Sequence, residues 1–159
     1  MSSLPDPRFM RMAIQIATEN VTGHRGGPFG AVVVRNGEVI AAEANSVTRT
    51  NDPTAHAEVN AIRAACAKLQ TFQLSDCDVY TSCEPCPMCL AAINWARCRT
   101  IYFGNSARDA ADAGFDDNFL YEEMRRPAEE RRLPAHQMLR DEAQESFAAW
   151  RESEKRIDY

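Results

Sequence analysis

The sequence predicts an α/β fold in which helices cover a mixed sheet. Segments whose apolar residues recur at helical spacing alternate with short runs rich in β-branched residues, and an Asn-Gly pair separates the first two of these runs. The resulting order is helix, hairpin, helix, strand, helix, strand. Alternation of this kind favours a sheet packed against helices.

The first predicted element is a helix over residues 9–21, where apolar residues recur with the helical period: Met10, Ala13, Ile14 and Ala17. A glycine-rich loop at residues 23–28 follows. The runs 31–34 and 39–44 are then predicted to pair as a hairpin, because Asn-Gly lies between them.

A polar loop at residues 47–54 separates the hairpin from an alanine-rich helix over residues 55–69. A strand over residues 78–82 leads into a helix over residues 86–98, whose first turn holds a proline, as helices favour there. The strand over residues 100–104 completes this part of the sheet.

The last third of the chain carries weaker patterns. We expect a short helix within residues 110–124, after a loop, and a charged surface segment at residues 125–133. Residues 137–157 indicate a late strand or turn followed by a helix with Phe147 and Trp150 on one face.

Length and charge restrict the function. A chain of 159 residues predicts one domain over 1–159, with a core that needs no disulfides. Lys and Arg number 18 against 23 Asp and Glu, and the net charge of -5 makes nucleic acid an unlikely partner. There is no apolar run of about 18 residues and no secretory signal pattern, so we expect no membrane span and a cytoplasmic location.

Six cysteines occur in a chain for which we expect a reducing compartment, so disulfides are unexpected. Three cysteines crowd into residues 81–89, which indicates metal or redox chemistry: Cys83, Cys86 and Cys89. The other three are expected to be small buried residues: Cys66, Cys77 and Cys98.

The spacing of Cys86 and Cys89 predicts a metal site at the start of a helix. Cysteines three residues apart share a helix face, and the exposed N–H groups of a first turn favour the thiolate form. His56, at the start of another predicted helix, is the candidate third ligand for zinc. Three protein ligands leave a fourth position for water, which is typical of a catalytic zinc site.

Taken alone, the C-x-x-C pair also fits a redox pair or half of a structural zinc site. A structural site needs a fourth ligand, for which Cys83 is near, whereas His24 and His136 are isolated. His-Ala-Glu followed by Pro-Cys-x-x-Cys is instead the signature of zinc-dependent nucleobase deaminases, and both halves are present in that order.

These motifs resemble the cytidine and deoxycytidylate deaminase superfamily. PFGAVVV, NDPTAHAEVNAIR, TSCEPCPMCLAAINWAR and AGFDD are similar to the bacterial guanine deaminases, and the resemblance runs from about Arg8 to Tyr159. It implies a three-layer α/β/α sandwich of the cytidine-deaminase type, with one zinc per chain. It also implies a homodimer in which the C-terminal segment, about residues 125–159, is exchanged between subunits.

The resemblance implies zinc-dependent hydrolysis of guanine to xanthine and ammonia. Glu58 would move protons between water, the ring and the departing amine, and Asp117 would assist. From position alone, Glu58 is better explained as a first-turn residue that complements the helix dipole. Asp117 is explained as a solvated loop acid, a role that suits Asp116 better.

The resemblance also suggests which residues contact the base. They are Asn45, Phe29, Trp95, Asp117, the backbone N–H of Ala57, and Tyr159 closing the site of the partner subunit. By residue type alone, Asn45 is as well explained as a turn residue, and the aromatic residues Phe29 and Trp95 as core.

Competing functions remain at this stage. A guanosine or cytosine deaminase would carry the same zinc motifs. A tRNA adenosine deaminase shares them too, but the acidic charge and the missing basic tail disfavour it. A non-catalytic zinc module would not need Glu58.

Overall fold

The computed structural model describes residues 5–159, which form two compact units, residues 5–118 and Phe119–Tyr159. The strands of the first unit are β1 (Gly30–Arg35), β2 (Glu38–Ala44), β3 (Cys77–Cys83) and β4 (Thr100–Asn105). Its helices are α1 (Pro7–Thr22), α2 (Val47–Thr50), α3 (Ala57–Leu69), α4 (Pro87–Trp95) and α5 (Ala107–Asp112).

The four strands form one mixed sheet in the order β2-β1-β3-β4. β1 is antiparallel to β2 and to β3, whereas β3 and β4 are parallel. Asn36 and Gly37 have φ angles of 51° and 81°, the left-handed pair that a tight hairpin turn requires. The mixed sheet and the hairpin predicted from the sequence are confirmed.

Helices cover both faces of the sheet, because side chains along β1 alternate between them. On one face α1 packs against the sheet through one apolar cluster: Phe9, Ala13, Val32, Val34 and Tyr80. On the other face α3 and α4 pack against a second cluster that includes Ala31, Val33, Val79, Ala57, Ala61, Ala65 and Ile93. The predicted α/β/α layering is confirmed.

Some predicted boundaries differ from the structure. The helix expected over residues 86–98 ends at Trp95, because Arg97 has a left-handed φ of 57° that cannot continue a helix. The loop expected at residues 47–54 contains the single-turn helix α2, which is too short to produce a periodic pattern.

The second unit contains α6 (Asn118–Arg125), which begins at its boundary, a 3₁₀ turn (Ala128–Glu130) and α7 (Arg140–Glu152). An irregular segment, not a strand, precedes α7 among the described residues, and Leu139 has a left-handed φ of 50° there. Within residues 5–159, no helix is both long and apolar enough to cross a membrane.

A buried ion pair ties β3 to the start of β4. Arg99 donates to Asp78 through Nε at 2.9 Å and Nη2 at 2.8 Å, and the Asp78 side chain is only 3% exposed. By contrast, the pair between Arg35 and Asp76, at 2.6 Å, has both side chains over 40% exposed.

We therefore expect Asp78→Ala to lower the free energy of unfolding by roughly 3 kcal/mol, because it leaves a partly buried guanidinium without its partner. The matched surface variant, Asp76→Ala, should cost less than about 1 kcal/mol. Urea denaturation of both variants measures the difference, and equal losses would contradict the assigned importance of the buried pair.

Candidate active site

The two predicted metal-binding segments meet at the N-termini of two helices. His56 is the N-cap residue of α3 and Cys86 is the N-cap residue of α4, with Pro87 in the first turn. Cys89 lies one turn further along α4 and is buried. Because α3 and α4 pack on the same face of the sheet, their first turns bring the three side chains together.

The geometry of these three residues fits a tetrahedral zinc ion. Nδ1 of His56 lies 3.6 Å from Sγ of Cys86 and 3.4 Å from Sγ of Cys89. Zinc bonds of about 2.3 Å to sulfur and 2.0–2.1 Å to nitrogen, at a tetrahedral angle, separate these atoms by roughly 3.6 Å. Among the described residues, this is the group of His, Cys, Asp and Glu side chains that converges closely enough to hold a metal.

The electrostatics of the two thiols favour a cation between them. Hydrogen bonding from the Cys89 thiol, and then from His56, lowers the pKa of Cys86 to about 4. The bond to Cys86 and burial raise the pKa of Cys89, because the Cys89 thiol is the donor. One thiolate is therefore available without a metal, and a dication would favour ionisation of the second thiol.

Glu58 lies beside this cluster in the first turn of α3. Its side chain is buried, with 7% of the residue exposed, and burial raises the pKa of its carboxyl above the ordinary value for glutamate. A carboxyl in this state both accepts and donates protons closer to neutral pH, which suits a general acid–base group.

A cavity of about 830 Å³ opens over the cluster. Six residues expected from the sequence line it: Phe29, Asn45, His56, Glu58, Cys86 and Asp117. Its size falls in the range of small-molecule sites. The structure therefore brings two of the three expected metal ligands, the expected acid–base residue and three expected substrate contacts to one cavity, with Cys89 buried behind them.

The two acids of the Gly-Phe-Asp-Asp segment have different environments. Asp117 is partly buried, and burial, followed by the negative charge of Cys86, raises the pKa of its carboxyl. Asp116 is exposed and its Oδ1 accepts a hydrogen bond from the N–H of Asn118 at 2.9 Å. Asp116, and not Asp117, is therefore the solvated acid of this loop.

Sequence reasoning missed several residues of the cavity wall. Phe115 makes an edge-to-face contact with Phe29, with ring centroids 5.0 Å apart, so the cavity has an aromatic wall built from two distant segments. The only signal for it was its place beside Asp116 in the motif. His24 and Gly27 of the glycine-rich loop, and Glu84, also line the cavity.

Cys83 borders the cavity but lies outside the metal cluster. Its Sγ lies 3.7 Å from the carbonyl oxygen of Ser106, and burial raises the pKa of its thiol to about 11. It therefore remains a neutral thiol near pH 7. This environment argues against Cys83 as the fourth ligand of a closed site.

Three expected substrate residues do not line the cavity of the described chain. Trp95 is 63% exposed at the end of α4, and at 100° per residue it lies about 120° around the helix from Cys89. Trp95 therefore does not line this cavity, and its contact with the base stays a prediction. Ala57 is buried between His56 and Glu58, and Tyr159 belongs to the second unit.

Comparison with known proteins identifies close relatives. A guanine deaminase of Bacillus subtilis is 52% identical over 151 residues, which are 95% of this chain and 97% of that protein. A crystal structure of guanine deaminase from Bacillus subtilis matches with a TM-score of 0.95 and 50% identity, covering 98% of this chain and 99% of that one. A structure of guanine deaminase from Nitrosomonas europaea matches with a TM-score of 0.67 and 34% identity, covering 73% and 68%.

A tRNA-specific adenosine deaminase of Agrobacterium fabrum is 49% identical over 77 residues, which are 48% of this chain and 51% of that protein. Residues 4–105 match the family described as the cytidine and deoxycytidylate deaminase zinc-binding region. The match includes all three metal ligands and Glu58, and zinc is accordingly the cofactor that this site takes. The chain belongs to the cytidine and deoxycytidylate deaminase family of zinc-dependent enzymes.

Proposed function

We propose that this enzyme hydrolyses guanine to xanthine and ammonia in the cytoplasm. The observation that carries the proposal is the full-length match to guanine deaminase of Bacillus subtilis, which takes in the C-terminal third of the chain. The match to the tRNA-specific adenosine deaminase of Agrobacterium fabrum covers only about half the chain. A net charge of -5 also disfavours a polyanionic substrate.

His56, Cys86 and Cys89 hold the metal in this proposal. When bound, zinc lowers the pKa of a water molecule and so makes a nucleophile available near neutral pH. His56 and Cys86 line the cavity, so a base bound there would lie beside the metal site.

Glu58 performs the proton transfers. It takes a proton from the attacking water and delivers it to a ring nitrogen while the new C–O bond forms at C2 of guanine. It then takes the remaining proton from the new C2 hydroxyl and delivers it to the amino group, so that the C2 carbonyl forms as the C–N bond breaks and ammonia leaves. The burial of Glu58 supports this role, because a carboxyl with a raised pKa keeps each proton between its uptake and its delivery.

Other residues of the cavity bind and orient the base. Asn45 offers a donor and an acceptor to the purine edge, and Phe29 and Phe115 provide apolar walls for the ring. Asp117 accepts a hydrogen bond from the exocyclic amino group and assists proton delivery. The N–H of Ala57 donates to the ring carbonyl oxygen.

The same proposal includes a homodimer that exchanges C-terminal segments, about residues 125–159, so that Tyr159 of one subunit closes the site of the other. Exposed apolar side chains on the first unit support an interface with a second copy: Leu90, Trp95 and Phe103. In such a dimer, the single domain expected over residues 1–159 would be completed by the partner's segment.

Zinc-loaded protein should release ammonia from guanine faster than from guanosine, cytosine or adenosine. The reason is that the Bacillus subtilis relative, which matches over nearly its full length, is a guanine deaminase, and Tyr159 closing the site would exclude a ribose. Ammonia release over this panel, with xanthine identified as the product, measures the preference. Turnover of guanosine or cytosine without turnover of guanine would refute the substrate assignment.

Cys86→Ala should lose zinc and activity together, because two ligands do not hold the ion in a catalytic geometry. Cys83→Ala is the matched control: it removes a neighbouring thiol that lies outside the cluster, and zinc content should stay near one per chain. Metal analysis of both purified proteins gives the answer. Full zinc in the Cys86 variant, with loss in the Cys83 variant, would reverse the ligand assignment.

Glu58→Gln should keep zinc and the fold but lose about 10²–10⁴-fold in turnover, the usual contribution of one acid–base group. The amide preserves the shape of the side chain and removes its ability to carry the proton. Zinc content, thermal unfolding and turnover are measured on the same sample. Near-normal turnover with full zinc would exclude the shuttle.

The same variant tests segment exchange. Refolding Glu58→Gln chains together with chains that lack Tyr159 makes about half of the dimers mixed, each with one complete site if the tail acts on the partner. Activity should then return to roughly a quarter of that of the wild type. Activity that stays at the level of the two parents means that Tyr159 does not close the partner's site.

A further inference from the structure

A buried asparagine outside the cavity holds the segment that carries Asn45. Asn20, on α1, is 2% exposed, and its Nδ2 donates to the carbonyl oxygen of Gly27 at 2.8 Å and to that of Asn45 at 2.9 Å. These bonds engage both N–H groups of the carboxamide. Asn20 therefore joins the glycine-rich loop to the end of β2, and both of its acceptors belong to residues that line the cavity.

A second asparagine connects the same segment to the metal site. Nδ2 of Asn60, on α3, lies 3.0 Å from the carbonyl oxygen of Ala44 and 3.3 Å from that of Ala55, which directly precedes His56. The N–H of Ser46 donates to the same Ala55 oxygen at 3.0 Å. The backbone on either side of Asn45 is thus held in register with the backbone of a zinc ligand.

The contacts around Gly26 show how closely Asn20 and Asn45 are packed. A Cβ atom at Gly26 would lie 2.6 Å from the carbonyl oxygen of Asn45 and 2.8 Å from Nδ2 of Asn20. Both distances are shorter than real contacts allow, so any side chain at this position must push the two asparagines apart. A substitution at Gly26 therefore disturbs the hydrogen bond between Asn20 and Asn45 without altering either residue.

We propose that Asn20 is a positioning residue for substrate binding, which fixes Asn45 at the distance from the metal that a purine base requires. The inference rests on the proposed function, in which Asn45 contacts the base. A hydrogen bond weakens steeply when donor and acceptor shift or tilt, so a small movement of the Asn45 backbone reduces the affinity for the base. The Asn20 side chain bonds to Gly27 and Asn45 and not to the metal cluster or Glu58, so we expect the chemical step to be spared.

The expected result is a selective loss of binding. Asn20→Ala should raise KM for guanine by about 5- to 20-fold, the effect of weakening one positioned hydrogen bond, and change kcat by less than about twofold. Zinc content should be unchanged. Asn94→Ala is the matched control, because its carboxamide donates at 2.8 Å within its own helix, to the Leu90 carbonyl oxygen; its KM should equal that of the wild type.

A double-mutant cycle separates positioning from a general loss of structure. If Asn20 acts through Asn45, Asn20→Ala should add less than about twofold to KM in an Asn45→Ala background. Gly26→Ala should reproduce the KM increase, and it replaces Asn20→Ala in the cycle if that variant does not fold. An unchanged KM in the Asn20 variant, or the same fold increase with and without Asn45, overturns the proposal.

Failure of the proposed function gives a different result. Wild-type protein that does not hydrolyse guanine counts against the substrate assignment, and the cycle is then run on the base or nucleoside that the panel identifies. Asn45→Ala with an unchanged KM for that substrate removes the basis of the positioning role as well.

Discussion

The meeting of two helix N-termini is the constraint on which the rest of the site depends. His56 and Cys86 are 30 residues apart, and they meet because α3 and α4 pack side by side on one face of the sheet. Fully buried alanines, among them Ala57, Ala61 and Ala65, let α3 lie close against the strands. The exposed N–H groups in the first turn of α4 favour the thiolate form in which cysteines bind zinc, whereas His56 at the start of α3 binds as a neutral imidazole.

Two opposed effects act on the ionisation of the carboxyl groups that line the cavity: burial, and the charge of a bound metal. Four carboxyl groups line it, those of Glu58, Glu84, Asp116 and Asp117, together with the Cys86 thiolate. Burial raises the pKa of Glu58 and of Asp117, so these groups tend to retain protons, whereas a dication favours their ionised forms. Opposed effects of this kind place a carboxyl where it can exchange a proton in both directions.

The substrate wall depends on hydrogen bonds more than on regular structure. The glycine-rich loop and Asn45, which follows β2, lie outside the strands, and the buried carboxamide of Asn20 donates to carbonyl oxygens of both. Such bonds matter most where the backbone must stay fixed without a strand or helix to hold it. The shape of the cavity therefore depends on α3 and α4 and also on the Asn20 carboxamide, which does not line the cavity itself.

Short sequence motifs by themselves determined the hairpin at Asn36-Gly37 and the helices that begin at His56 and Cys86, because each depends on neighbours within a few residues. The His-Ala-Glu and Pro-Cys-x-x-Cys motifs indicated the metal cluster, but the packing of α3 and α4 brings its two halves together. Tertiary structure alone decided the strand order, the pairing of Phe115 with Phe29 and the bond from Asn20 to Asn45, since these join segments with no shared periodicity. Trp95 illustrates the difference. The sequence predicted the helix that carries Trp95, but whether its side chain is buried or exposed depends on how α4 is rotated against the sheet.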